Sequence, residues 1–414
     1  MPWRETSPLD ERLRFVQDVH RPGWSMAELC RRYEVSRKTG YKWLAAYQRA
    51  GPAGLADGSH RPRACPHATP PAIVALILEL QRRYTWGARK VRRLLQDRVP
   101  AGQVPTKTTV HRILERHGRV RPQRRSRRRF HAGPPGTPMD QPNAVWTADF
   151  KGHFRTGDGI YCYPLTVQDG ASRFLLGCRG LLAPTTEGSW PVFVRLFQRY
   201  GLPERIRTDN GQPFASSALG RLSTLSVWWV RLGIRPELIE PAHPEQNGRH
   251  ERMHKTLKAD TARPPRGDLA AQQRCFDTFR QRYNTERPHE ALHDATPASG
   301  YAPSPRPYRP TLAPLVYPGH FERRRVSRNG GIRWFTRWVN VSHLFAELDI
   351  GFEAIDDALW NVYFGPIWLG RFHEEVGRIV DQLGRPIRRT GDNHKGNENT
   401  HKNRGTTNKM LPIT

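Results

Sequence analysis

The chain has 414 residues, enough for more than one domain, and carries 67 Lys+Arg against 38 Asp+Glu, a formal net charge of +29. That excess opposes self-association and favours a polyanion, with nucleic acid ahead of a membrane surface because no long apolar run or basic amphipathic anchor is present. Five scattered cysteines (30, 65, 162, 178, 275) without a C-x-x-C pair argue against a disulfide framework and a cysteine zinc site, and with no apolar signal-peptide core at the N-terminus a reducing cytoplasm is expected.

Residues 9–49 read as three helices. Leu9, Leu13, Val16 and His20 give a helical stripe, and Met26–Tyr33 a short second helix. Glu34 and Val35 turn the chain, and Ser36 is a natural N-cap for a third helix to about Tyr47. Ala27, Cys30, Val35 and Leu44 are the expected core. A short helix, a tight turn and a capped basic helix make a helix-turn-helix signature, taken as a DNA-binding module over 1–55. Arg37, Lys38, Thr39 and Lys42 then face DNA. An ordinary small helical bundle is the bland alternative.

Residues 51–71 are rich in Gly, Pro, His and Ala and read as a linker. Over 70–118 a second, weaker helix-turn-helix pattern follows. Ile73, Leu76, Ile77, Leu80 and Tyr84 keep helical spacing, Val91, Leu94 and Leu95 mark another helix, and Thr106 caps a third. Val110, Ile113 and Leu114 point inward there, with Lys107, Thr108 and His111 outward. Seven arginines between Arg119 and Arg129, Arg124 and Arg125 among them, make the 119–139 segment a basic linker. A solvated tether of this kind binds phosphates without reading bases.

From Asn143 the pattern turns to β. Residues 144–150, 160–167 and 174–178 read as an antiparallel meander, 185–200 as a helix, 205–208 as a short strand, and 235–239 as a last strand after a second helix through Leu219 and Leu225 to Leu232. The order β-β-β-α-β-α-β-α is mixed α/β. Asp149 ends the first strand and Asp209 the fourth. Glu251 lies on a helix from about Arg249, where Glu251, Lys255 and Lys258 share a face. Pro241 and Pro244 are expected to keep the approach to that helix extended. If the first and fourth strands are neighbours, three carboxylates converge and need a cation. Oxygen-only ligands suit Mg²⁺ or Mn²⁺. Two such ions about 3.5–4 Å apart can drive a phosphodiester displacement. Asp158 and Asp169 fall in turns, where Asp is common for backbone reasons, and Trp228 and Trp229 read as core.

His250-Glu251-Arg252-Met253-His254 also matches H-E-x-x-H, which as a zincin motif makes both histidines zinc ligands and Glu251 a general base. That reading needs a third ligand and a peptide cleft. A solvated helix face is the remaining alternative.

Trp146-x-x-Asp149, Thr208-Asp209-Asn210-Gly211 and HPEQNG over 243–248 followed by Glu251 resemble the acidic triad of integrase-type bacterial insertion-sequence transposases of the retroviral-integrase superfamily. Tyr283-Asn284 and Arg287-Pro288-His289 with Ala291-Leu292 are similar to the segment following the core in those transposases. The resemblance implies a ribonuclease-H-like core over 140–300 and Asp149, Asp209 and Glu251 as catalytic, metal-binding residues with two Mg²⁺ or Mn²⁺ ions. It implies Lys255 and Lys258 as DNA-gripping residues. The implied activity is a DNA transposase that cleaves 3′ ends and joins them to target DNA, as a dimer or larger assembly on double-stranded DNA in the nucleoid. An inactive DNA-binding regulator is the alternative from another class, and a zinc metallopeptidase a remote one. The family's spacing is shorter than the 41 residues between Asp209 and Glu251; the extra length falls at 220–229 as an expected loop insertion.

Ser299–Pro318 is Pro-rich and reads as a linker. Over 320–384, strands at 332–335, 338–341, 360–364 and 367–371 predict a small β-barrel, with Trp360, Val362 and Phe364 on one face; it is similar to the C-terminal barrels of such transposases. From Asp381 the chain is polar, and 385–414 reads as a disordered tail.

Overall fold

The computed structural model describes residues 7–58, 68–120, 136–240, 244–382 and 384–385. They form two compact units, one within Met1–Val74 and one within Ala75–Thr414. Arg124 and Arg125, Cys65, Pro241, His243 and the tail beyond 385 lie outside the described residues.

In the N-terminal unit, α1 (Pro8–Val19), α2 (Met26–Arg32) and α3 (Arg37–Ala50) form the three-helix arrangement. Ser7, Ser25 and Ser36 cap them, the first two in reciprocal boxes with Asp10 and Glu28. Glu34, at φ 55°, makes the tight turn between α2 and α3. Phe15, Val16, Leu29, Cys30 and Leu55 are the buried core. Two expectations change. Leu9 is 41% exposed, because it sits in the first turn of α1, beyond the reach of the core. Leu55, expected in a linker, closes that core from a 3-10 turn, and its carbonyl accepts from Arg12 at 2.9 Å.

The boundary between the units falls inside α4 (Pro71–Tyr84), and the second unit continues with α5 (Ala88–Gln96) and α6 (Lys107–Arg116), the last capped by Thr106. Ile77, Leu80, Val91, Leu95, Val110 and Leu114 are buried. This module is tied to the segment after the core. Tyr84 Oη donates to Glu286 at 2.6 Å, and Arg89 holds Asp294 at 2.9 Å and also Glu290.

The central sheet comprises β1 (Val145–Phe150), β2 (Phe154–Arg155), β3 (Tyr161–Asp169), β4 (Leu175–Leu181), β5 (Arg205–Thr208) and β6 (Arg235–Leu238). Its order is β4-β3-β1-β5-β6, with β2 paired to the start of β3; β1, β3 and β4 are antiparallel, while β5 and β6 run parallel to β1. Trp146, Ala148 and Phe150 alternate onto one face. There they meet Phe193 and Phe197 of α7 (Thr186–Tyr200) and Leu225, Trp228 and Trp229 of α8 (Thr224–Arg231). Thr147 and Asp149 take the opposite face, which α9 (Gly248–Thr261) covers and α10 (Leu269–Thr285) flanks. Within α9's approach, residues from Pro244 form a 3-10 turn to Asn247 instead of the expected extended run.

The insertion at 220–229 is no loop. It is a 3-10 turn, Leu219–Arg221, followed by the first turns of α8. Leu219, Leu222, Val227 and Val230 share a core with the C-terminal region, and that apolar burial is why the segment is ordered into a helix. The Ser299–Pro318 linker is likewise packed: Tyr301, Tyr308 and Leu312 lie against the central core, and Arg306 donates to the carbonyls of Pro203 and Gly233, each at 2.7 Å.

Beyond it come β7 (Glu322–Arg325), β8 (Gly331–Trp334), β9 (Arg337–Asn340), β10 (Asp349–Asp356), β11 (Leu359–Phe364), β12 (Ile367–His373) and β13 (Arg378–Asp381). Instead of the expected barrel, the described residues form an open sheet, β13-β12-β11-β10-β7, and a separate β8–β9 hairpin. The hairpin lies over the sheet face: Trp334 packs on Phe352, Trp360 and Phe372 with centroids 4.9–5.0 Å apart. The core is therefore sealed face to face, so the two edge strands need not pair.

Candidate active site

β1 and β5 are parallel neighbours with Ala148 opposite Thr208. One residue further on come Asp149 in β1 and Asp209, just past the end of β5, and the charge of Asp209 acts on Asp149. Arg207 clamps β5 to β6 through Glu237, Nε to Oε1 at 2.6 Å. Asn210 ties the strand end to the carbonyl of Ile239 at 2.8 Å and accepts from Arg221 at 2.7 Å. The Gly211 N–H donates to Asp209 Oδ1 at 3.2 Å. Burial pushes the Asp149 carboxyl well above the usual carboxylate range, and the charge of Asp209 adds to this while Lys151 opposes it. Burial also raises Asp209, against the Gly211 hydrogen bond. Two carboxyls held this way favour a proton or a metal ion between them.

α9 lies over the same face. Met253 and Leu257 are buried, Glu251 and Lys255 are exposed, and Lys258 is half-buried. The charge of Glu251 reaches Asp149. Asp209 and Glu251 both act on Asp149 through their charges, and oxygen donors of this kind fit a hard divalent cation. The donor atoms that already lie within 4.8 Å of one another, among the described residues, are those of Asp149, His250 and His254, a set without Asp209 or Glu251.

The two histidines were legible only as a zinc motif, and the structure gives them other work. Thr166 Oγ1 is within bonding distance of three groups: the Asp149 carbonyl at 3.0 Å, His250 Nε2 at 2.6 Å and His254 Nε2 at 2.7 Å. One hydroxyl donates once and accepts twice, and a carbonyl only accepts. The consistent assignment has Thr166 donating to the carbonyl and both histidines donating through Nε2–H. In that tautomer the Thr147 hydroxyl gives its one proton to His250 Nδ1 at 2.8 Å in preference to the Gln168 carbonyl at 3.2 Å. Both nitrogens of His250 are thereby engaged, which argues against zinc. His254 Nδ1 is left with its lone pair facing Asp149 Oδ2 across 3.6 Å. Burial holds both rings neutral, pushing His250 down to about 3 and His254 well below its ordinary value. The sequence signal for this hub was the parity of two threonines: Thr147 lies two residues before Asp149, and Thr166 is its antiparallel partner.

Of the other predicted contacts, Arg37, Lys38 and Lys42 are exposed on α3, whereas Thr39 is half-buried, its hydroxyl 2.9 Å from that of Ser36. Lys107 is exposed at the start of α6. It lines one groove of about 850 Å³ with Lys255 of α9. Asp169, set aside as a turn residue, anchors its turn through Asn143 N–H at 2.7 Å and the N–H and hydroxyl of Ser172 at 2.8 and 2.6 Å. The described cysteines, 30, 162, 178 and 275, are all free.

Residues 139–244 and 232–297 match the integrase core domain family, residues 11–63 a helix-turn-helix domain, and residues 39–114 a homeodomain-like domain. The chain is 27% identical over 283 residues to the insertion element IS476 uncharacterized 39.2 kDa protein of Xanthomonas euvesicatoria, covering 67% of this chain and 78% of the relative. It is 28% identical over 165 residues to the insertion element IS407 uncharacterized 31.7 kDa protein of Burkholderia multivorans, and there spans 38% of itself and only about half, 54%, of the relative. Among solved structures it is similar to the HTLV-2 integrase catalytic core domain in complex with magnesium, in its trimeric form (16% identity, TM-score 0.29, 39% of this chain and 97% of that one). A second is the simian T-cell lymphotropic virus intasome in complex with PP2A regulatory subunit B56 gamma (16% identity, TM-score 0.33, 70% and 97%). No helix among the described residues is long and apolar enough to cross a membrane.

Proposed function

The chain belongs to the proteins that carry an integrase core domain together with helix-turn-helix domains, and from that premise we propose that it is a DNA transposase which cleaves the 3′ ends of a mobile element and transfers them to target DNA. Hydrolysis at the element end leaves a 3′-hydroxyl and a 5′-phosphate. In strand transfer that hydroxyl attacks a target phosphodiester, forming the new bond and releasing the target's own 3′-oxygen. The observation supporting this reading is that β1 and β5 are parallel neighbours whose register brings the chain to Asp149 and Asp209 together, with α9 over Asp149.

In this reading Asp149, Asp209 and Glu251 would hold the divalent ions. A bound Mg²⁺ or Mn²⁺ pair supplies activation of the attacking oxygen and charge relief at the leaving one. The buried floor of Thr147, Thr166, His250 and His254 fixes the Asp149 main chain and keeps water from beneath its carboxylate. Lys255 and Lys258, on the face of Glu251, neutralise phosphates beside the scissile one. Arg37, Lys38, Thr39 and Lys42 engage the element end, and Arg124 and Arg125 its backbone. Two ends must meet, so the working form is a dimer or larger assembly on double-stranded DNA.

The test is Asp149→Asn, with DNA binding, end cleavage and strand transfer all measured in Mg²⁺ and Mn²⁺. Binding should persist while both chemical steps are lost. Strand transfer at the unsubstituted rate would refute the assignment. If the unaltered protein binds DNA yet never nicks it with either metal, the regulator reading replaces this one.

A further inference from the structure

The helical module α4–α6 faces the catalytic helix across an open groove. Arg89 and Lys90 of α5 and Lys107 of α6 line one wall, and Arg252, Lys255 and Thr256 of α9 the other. A smaller cavity of about 150 Å³ shares Lys90, Arg252, Thr256 and Arg287 with it and adds Arg173 and Arg249.

The carboxylates nearby do not balance these cations. Glu290 and Asp294 are both held by Arg89. Asp260 lines the groove but makes no ion pair among the described residues. Arg249 donates to the carbonyl of Gly170 at 2.8 Å and Arg287 to the hydroxyl of Thr256 at 3.2 Å, both neutral acceptors. Lys90, Arg173 and Arg252 have no carboxylate within 4.0 Å among the described residues; the nearest ring to the Lys90 ammonium is Trp86, at 5.9 Å. Burial, and then the neighbouring Arg287, push Lys90 down to about 7. Like charges gathered in a part-buried cleft repel one another unless an anion enters.

We propose that this groove seats the phosphate backbone of the DNA being processed, with Lys90, Arg173 and Arg252 as its phosphate contacts. The second helical module is then one wall of a strand channel that runs past Glu251, and its task is to hold DNA against α9 whatever the base sequence. This rests on the DNA-processing reading above. Tyr84 and Arg89, bonded to Glu286 and Asp294, fix the wall's distance from the catalytic helix.

The experiment uses the full chain, a short fluorescent duplex of arbitrary sequence, and EDTA, so that no cleavage intervenes. Affinity is measured across a salt series. Each lost phosphate contact lowers the slope of log K against log salt by about 0.9, so Lys90→Gln with Arg252→Gln should lower it by about 1.8. Lys90→Arg with Arg252→Lys should restore it. Arg195→Gln, an exposed change on α7, should leave it alone. In parallel, duplex should shield Lys90 from amine acylation mapped by mass spectrometry. An unchanged slope with Lys90 unshielded overturns the proposal. A lowered slope in a protein that never cleaves DNA leaves the groove standing and removes the transposase reading; cleavage with an unchanged slope does the reverse.

Discussion

Replacing Thr166 by Val removes one oxygen and keeps the shape. That oxygen serves the Asp149 carbonyl and the Nε2 atoms of both buried histidines. Two imidazole N–H groups are left without a partner, at about 1–3 kcal/mol each. The gained apolar contact returns about 0.8 kcal/mol. The net loss is about 1–5 kcal/mol, a large part of the ~5–15 kcal/mol that holds a domain together. Native-state hydrogen exchange reads this locally, in peptides covering 145–150 and 161–169. At 1.4 kcal/mol per tenfold, their amides should exchange from roughly fivefold to several thousandfold faster. Thr166→Ser keeps the oxygen and should lie close to the original protein. The reasoning is refuted if Val exchanges like Thr, or if Ser is as damaging as Val.

Acid should destabilise the second unit earlier than carboxylate protonation alone predicts. His250 is held down to about 3 when folded but titrates near 6.5 when unfolded. The unfolded chain therefore takes up the proton first; stability is full above about pH 6.5 and falls toward pH 3, by up to about 1.4 kcal/mol per pH unit. Urea midpoints from pH 7 to 4.5 measure it, and His250→Gln should flatten the slope. The acidic pair works in the opposite sense. Asp149 and Asp209 are raised in the fold, so without metal, stability falls as pH climbs from the ordinary carboxylate value through their raised ones. Mn²⁺ binds the ionised form, so the Tm gain it gives should grow with pH and shrink sharply in Asp149→Asn; a gain independent of pH would contradict this. In the N-terminal unit, a Cβ at Gly40 would sit 2.7 Å from Cys30 Sγ and 2.9 Å from Phe15 Cζ. Gly40→Ala should cost about 1–3 kcal/mol by overpacking and weaken DNA binding, with the thermal midpoint of that unit as the check.

Local chemistry was the readable part of the sequence. Ser36 and Thr106 announced their helices as caps, and Asp149 and Asp209 announced strand ends, because capping and alternation depend on near neighbours. What failed depended on distant partners. The H-E-x-x-H letters say nothing of Thr147 and Thr166, 103 and 84 residues away from His250, whose hydroxyls occupy the ring nitrogens. The strap through Tyr301 and Tyr308 reads as linker from its prolines, yet its rings pack on the core, Tyr301 stacked on Phe174 at 4.4 Å and Tyr308 tilted against Phe197 at 6.2 Å. The strands β7, β10 and β13 carry charged or broken alternation and went unseen, and with them the openness of the C-terminal sheet.

Leu369 in β12 and Gly220 sit close enough that a methyl at Gly220 would collide with the leucine side chain. Arg221, the next residue, reaches Asn210, beside Asp209. The last sheet therefore meets the aspartate loop through two contacts, Leu369 on Gly220 and Arg221 on Asn210. Truncating the chain near residue 310 would strip Leu219, Leu222, Val227 and Val230 of their cover and leave a sticky remnant.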